Sequence, residues 1–134
     1  MKHNRRRGSL TVEAALLLPL LFMLTFGLIE YGWMFLKQQQ ITNTARQSAR
    51  LGAMVDGTNS AVTSQISTMM SNYGLGSSGY SATVSPGNVQ TAARGSQISV
   101  TISIPYSNID VTGFTLLPMP TTISAKVSMQ KEGP

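Results

Sequence analysis

Side chains that could carry out chemistry are sparse in this 134-residue sequence. Its only histidine is His3, it has no cysteine, and its five acidic residues are scattered along the chain. Acid–base, nucleophilic and metal-assisted catalysis need convergent sets of such residues, so we predict neither an enzyme nor a metal or cofactor site. The segment 74–79, GLGSSG, has no following lysine, which favours a flexible turn over a phosphate-binding loop.

Positive charge is concentrated at the amino terminus. The formal net charge is +5, and four of the ten basic residues are Lys2, Arg5, Arg6 and Arg7. The other six basic residues face five acidic ones, so the rest of the chain carries a net charge of +1. A nucleic-acid-binding protein is expected to spread basic residues over a folded surface. We therefore predict no nucleic-acid partner.

The carboxylate of Glu13 is notable for its position. It lies five residues after Gly8, between the basic cluster and an apolar run from Ala14 to Leu36 whose only charge is Glu30. As a helix this run would be roughly 34 Å long, enough to cross a hydrocarbon core of about 30 Å. An ionisable residue at the edge of such a helix suggests a function or a partner. Alternatively, Glu13 lies at the headgroup level and begins the helix, where the helix dipole favours a carboxylate.

The flanks of the apolar run predict its orientation. The basic leader fits the positive-inside rule, so residues 1–8 are expected in the cytoplasm and the carboxyl-terminal domain outside it. The run is too long for an ordinary secretory signal and ends at Trp33 and Leu36 without a small-residue cleavage pattern. Tyr31 and Trp33 are placed as interfacial aromatic residues. These features predict a single-pass protein of the cytoplasmic (inner) membrane with an extracytoplasmic carboxyl-terminal domain.

Two residues inside the run are possible interface residues. Pro19 removes the backbone hydrogen bond to Ala15 and is expected to kink the helix. That weakness either lets the segment extend during assembly or is a tolerated membrane-helix proline. Glu30 is expected to extend to the far membrane interface, or else to contact a basic group on an assembly partner.

The rest of the chain predicts an α+β fold. Ile41, Ala45, Ala49 and Ala53 repeat every four residues, so the helix is expected to continue as a spine through residue 54, with Arg46 and Arg50 on a solvated face. A second helix is predicted over 60–72. Alternating apolar residues predict strands over 96–104 and 123–129, and a weaker strand over 80–85. An antiparallel sheet packed on the spine helix follows.

The junction around Gly8 resembles a type IV prepilin processing site, in which a glycine precedes a hydrophobic helix with glutamate at its fifth position. The resemblance implies that a prepilin peptidase cuts between Gly8 and Ser9 from the cytoplasmic side. The new α-amino group on Ser9 would then lie one helical turn from Glu13. It also implies that Glu13 neutralises the amino terminus of a neighbouring subunit and so sets the axial register. Ser9 replaces the Phe or Met of many type IV pilins.

Three segments narrow the resemblance to the TadE-like family of the tight-adherence pilus system: GSLTVEAALLLP at 8–19, GLIEYG at 27–32 and ARQSARLGA at 45–53. The resemblance implies a minor pilin, or pseudopilin, with a pilin-like fold, needed to assemble or initiate Flp pili. The implied partners are the prepilin peptidase, the platform membrane proteins, a sister minor pilin, the major Flp pilin and the membrane. The implied domains are a leader (1–8), a transmembrane and spine helix (9–54) and an outer α+β domain (55–134).

A second hypothesis stays open. The chain could instead be an uncleaved single-pass anchor for an external binding or scaffold module. The two hypotheses differ in whether the mature chain begins at Ser9. A processed pseudopilin would leave the membrane for a short pilus or a priming complex, whereas an uncleaved anchor would stay in it.

Overall fold

A computed structural model describes residues 5–111, 113 and 118–133, and their side chains from Leu10 onward. The order of elements is helix α1 (Arg5–Ala53), helix α2 (Asn59–Asn72), strand β1 (Ser81–Ser85), strand β2 (Gln97–Pro105), a 3-10 helix (Tyr106–Asn108) and strand β3 (Thr122–Gln130). Two helices with one antiparallel sheet confirm the predicted α+β class.

Helix α1 is a single helix of 49 residues that includes Pro19. At 1.5 Å per residue it is roughly 73 Å long, far more than one membrane crossing needs. The prediction of one long helix that begins with an apolar stretch and continues into a spine is confirmed, and the apolar stretch could span a membrane. The helix also runs through Gly8, so the proposed boundary between leader and mature helix is not marked by a break in the backbone and stays a prediction.

Side-chain exposure divides α1 into two parts. We call Leu10–Ile29 the exposed segment, because its large apolar side chains are between 47% and 74% exposed. We call Glu30–Ala53 the packed segment, because one of its faces is covered by the rest of the fold. The exposed segment is roughly 30 Å long, which matches the hydrocarbon core of a bilayer.

The exposed segment has the properties of a membrane span. Within the described residues, α1 is the one helix long and apolar enough to cross a membrane, and only 6% of its most apolar stretch is buried. A core helix of a soluble protein would be mostly buried instead. The folded domain begins at Glu30, well inside the predicted apolar run that ends at Leu36, so the stretch free to span a membrane lies closer to the amino terminus than predicted.

Helix α2 packs along the packed segment of α1. Its first turn is capped by Thr58, whose side-chain oxygen accepts a hydrogen bond from the Ala61 backbone N–H at 3.1 Å. Its apolar residues recur on one face and are buried: Val62, Ile66, Met69 and Met70. The predicted helix over 60–72, with methionines in the core, is confirmed.

The three strands form one antiparallel sheet in the order β1-β2-β3. Val100 in the central strand pairs with Val84 on one side and Val127 on the other. Alternate residues of β2 are fully buried: Ile98, Val100, Ile102 and Ile104. Because side chains alternate across a strand, these four form one apolar face. Three of them, Val100, Ile102 and Ile104, lie in the same buried cluster as the Ile41, Ala45 and Ala49 stripe of α1.

Candidate functional site

The candidate site is the helix α1 itself, from the junction at Gly8 to the place where the outer domain begins. Gly8 and Ser9 are helical in their backbone. Glycine weakens a helix interior by about 1 kcal/mol relative to alanine, so the backbone at the predicted cleavage point opens more readily than its neighbours. Ser9 and Glu13 are one turn apart, a rise of roughly 6 Å.

Glu13 lies within the exposed segment of α1. Its side chain is exposed, and its helical neighbours Leu10 and Leu16 are 66% and 74% exposed. The carboxylate therefore lies on an apolar surface near the amino-terminal end of the proposed span. An ionisable group in that position is costly unless it meets a compensating charge. This is the one predicted site residue whose surroundings suggest an intermolecular role.

Glu30 does not extend to a lipid-facing interface, which was the first of its two expected placements. Its side chain is only 3% exposed, and its Oε1 accepts a hydrogen bond from the Tyr106 hydroxyl. Tyr106 begins the 3-10 helix and is itself buried. Burial of Tyr106, with the hydrogen bond to Glu30 and its negative charge, raises the pKa of the tyrosine above its usual range. The hydroxyl therefore stays protonated and continues to donate.

Further contacts beside Glu30 fix the outer domain to α1. The Tyr31 hydroxyl donates to the Pro118 carbonyl at 3.0 Å, and the Trp33 indole Nε1 donates to the Ile109 carbonyl at 2.7 Å. We call these two hydrogen bonds and the Glu30–Tyr106 hydrogen bond the joint. The two aromatic residues predicted to lie at the membrane interface thus also bind the outer domain.

One helical turn further along, Lys37 extends the contact with the outer domain. Its ammonium lies 4.5 Å from the centroid of the Trp33 ring, a cation–π contact. It also donates to the Tyr73 carbonyl at 3.3 Å. Lys37 is only 7% exposed, so these two contacts compensate for the loss of water around its charge.

Small residues explain the motif ARQSARLGA at 45–53. Ala45 and Ala49 are fully buried, and a Cβ on Gly52 would lie 3.2 Å from side-chain methyl groups of both Val62 and Ile98. These positions let α2 and β2 approach the helix backbone closely. Arg46 and Arg50 are exposed, as predicted for a solvated face.

The carboxyl-terminal end of α1 is closed by the end of the chain. The Lys131 ammonium donates to the carbonyls of Gly52 at 3.2 Å and Met54 at 2.6 Å. The Glu132 backbone N–H donates to the Ala53 carbonyl at 2.7 Å. A cation beside the last free carbonyls of a helix is favourable, both as a hydrogen-bond donor and for the helix dipole.

No metal centre is found in the part of the chain that the structure describes, where no group of three or more His, Cys, Asp or Glu residues converges. Pro19 lies inside helix α1, which continues on both sides of it.

These features describe an α+β protein in which one helix, among the described residues, is long and apolar enough to span a membrane. Residues 8–50 match the family model described as TadE-like protein. The match confirms the resemblance over about the first third of the chain, from the predicted cleavage glycine to Arg50, and supports a general association with the tight-adherence pilus. No curated protein matches the chain, and no solved structure matches it.

The matched segment and the contacts in the structure coincide only in part. The match includes Gly8, Glu13, Pro19, Glu30 and the buried alanines. It ends before Tyr106, Ile109 and Pro118, which supply the other half of the joint. Sequence reasoning missed Tyr106 because nothing near it in the chain indicates a carboxylate partner 76 residues away.

Proposed function

We propose that this protein is a minor pilin, or pseudopilin, needed to assemble or initiate Flp pili of the tight-adherence system, and that a prepilin peptidase processes it after Gly8. The chain would reside in the inner membrane, with residues 1–8 in the cytoplasm and the folded domain in the periplasm. Its partners would be the platform membrane proteins, a sister minor pilin and the major pilin.

The observation that carries this proposal is the exposed carboxylate of Glu13 on the apolar surface of α1. A chain cut after Gly8 has a cationic amino terminus on Ser9. Opposite unit charges about 4 Å apart attract by about 4 kcal/mol at an effective dielectric constant of 20. Pairing of Glu13 with the amino terminus of a neighbouring subunit would favour one axial register.

The packed segment supports the same role. The joint and the buried alanine stripe attach the outer domain to α1 over Glu30–Ala53, so the exposed segment projects from a folded body as a single rod. A subunit of this shape can leave the bilayer and enter a bundle of similar helices while its outer domain stays folded. The TadE-like match over residues 8–50 lends family support to this assembly role.

The test is Glu13→Gln, which keeps the size of the side chain and removes its charge. We expect membrane insertion and the stability of the outer domain to be unchanged, while the number of Flp pili per cell falls at least tenfold. Glu132→Gln, at an exposed position beyond β3, is the matched control and should leave piliation normal. Normal piliation by the Glu13→Gln protein would remove the charge-pairing role.

A further inference from the structure

The connection between β2 and β3 returns to α1 close to the end of the exposed segment. Its first part is held by the Trp33 indole on the Ile109 carbonyl, at 2.7 Å. Its last part is held by the Tyr31 hydroxyl on the Pro118 carbonyl, at 3.0 Å. Tyr31 and Trp33 lie roughly 3 Å and 6 Å beyond Ile29 along the helix axis. If the exposed segment fills the hydrocarbon core, these two contacts lie in the headgroup layer on the domain's side.

The connection also has a surface suited to that layer. Val111, two residues after the Trp33 contact, is 52% exposed. The sequence holds no charged residue between Asp110 and Lys126, so the only charge close to Val111 in this connection is the exposed Asp110. Lys and Arg do not flank Val111 here, so an attraction to anionic lipid is not the basis of the contact.

A second valine provides the contrast. Val55 is 59% exposed, and it follows the end of α1 at Ala53. Ala53 lies roughly 36 Å beyond Ile29 along the helix. Among described residues after Leu36, Val55 and Val111 are the large apolar side chains that are largely exposed. One lies at the far pole of the domain, and the other lies at the pole nearest the exposed segment.

We propose that the β2–β3 connection at Asp110–Val111 rests on the bilayer surface on the domain's side, as a second membrane contact beside helix α1. Val111 supplies the apolar part of this contact, with the exposed Asp110 beside it. The contact is continuous with the exposed segment, since the same two aromatic residues, Tyr31 and Trp33, end the span and hold the connection. It prevents the outer domain from tilting about the helix and presents the far pole, with Val55, away from the membrane. This inference rests on the proposed insertion of α1.

The chain has no cysteine, so single cysteines can be introduced without removing any. Val111→Cys, Val55→Cys and Leu20→Cys proteins are each labelled with an environment-sensitive fluorophore and reconstituted in phosphatidylcholine vesicles. Nitroxide-bearing phosphatidylcholine then reports contact with lipid, and aqueous iodide reports contact with water. Leu20 is 63% exposed and lies in the middle of the exposed segment, so its label marks the bilayer interior.

We expect lipid-borne nitroxide to quench the labels at Leu20 and Val111 at least threefold more strongly than the label at Val55, with the opposite order for iodide. If the Leu20 label is quenched by lipid and the Val111 label behaves like that at Val55, the second contact is wrong and the membrane span stands. If the Leu20 label also behaves like that at Val55, the insertion of α1 is wrong and the inference fails with it. Asp110→Cys provides a second labelling position, which should follow Val111.

Discussion

The two segments of α1 belong to one continuous helix but differ in the size and exposure of the side chains they carry. In the exposed segment, large residues such as Leu16 and Leu28 are 74% and 68% exposed. In the packed segment, Ala45 and Ala49 are small and fully buried. The backbone conformation is the same in both, so the difference lies in what each surface meets. Lipid accepts bulky apolar side chains anywhere on a helix, whereas a packed domain needs small ones where elements approach closely.

The joint lies where the exposed segment ends and the packed segment begins. Glu30 would be costly on a lipid-facing surface, and it is instead enclosed by the outer domain with the Tyr106 hydroxyl as donor. Tyr31 and Trp33 use their polar atoms on backbone carbonyls of the same domain. The polar groups that follow the exposed segment are therefore satisfied by the protein's own fold.

The two segments should respond differently when the same negative charge is introduced into each. Ala45→Asp puts a carboxylate in the core, where no exposed surface is available, and should destabilise the outer domain by about 3–5 kcal/mol. Denaturant unfolding of the detergent-solubilised protein, followed by circular dichroism, measures this loss. Gln47→Asp, two residues along on an exposed position, should change the unfolding free energy by less than about 0.5 kcal/mol. Equal midpoints for the two variants would contradict the assignment of a packed segment.

The complementary change is Leu20→Asp in the exposed segment. It should leave the unfolding free energy of the outer domain unchanged, because Leu20 is exposed and lies outside the packed segment. The free energy of membrane insertion should instead become less favourable by about 3 kcal/mol. A glycosylation reporter fused beyond the helix measures insertion, with Leu20→Val as the apolar control. A large loss of domain stability would show that the exposed segment packs against protein.

The third change weakens the joint. Tyr106→Phe removes the hydroxyl that donates to Glu30 and leaves a buried carboxylate with one donor fewer. We expect the outer domain to lose about 1–3 kcal/mol of unfolding free energy. Tyr80→Phe, at a partly exposed tyrosine before β1, is the matched control and should cost less than about 0.5 kcal/mol. If the two variants are equally stable, the joint does not contribute to the attachment of the domain.

Much of the fold could be predicted from local patterns. The four-residue repeat of Ile41, Ala45 and Ala49 identified the buried face of α1, and the alternation in 96–104 identified the central strand. Both patterns are local because the helical and strand periods impose them on neighbouring residues. The antiparallel sheet was predicted from the order of the elements, with the strands following the helices.

The joint and the contact of Lys131 with α1 could not be predicted, because both connect residues far apart in the chain. Glu30 and Tyr106 are separated by 76 residues, and Lys131 meets the end of α1 from 79 residues beyond Gly52. Hydropathy also placed the end of the span at Leu36. Apolar composition alone does not distinguish a side chain that faces lipid from one that faces a protein core, so the covering of α1 from Glu30 onward was missed.

Intact-mass spectrometry of the membrane-bound protein shows directly whether the chain is cleaved after Gly8. In cells that contain a prepilin peptidase, we expect a mature chain that begins at Ser9 and lacks residues 1–8. Gly8→Ile should abolish this processing and leave the precursor in the membrane. A wild-type chain that retains Met1 or any other part of the leader in those cells would contradict cleavage after Gly8 and favour an uncleaved membrane anchor.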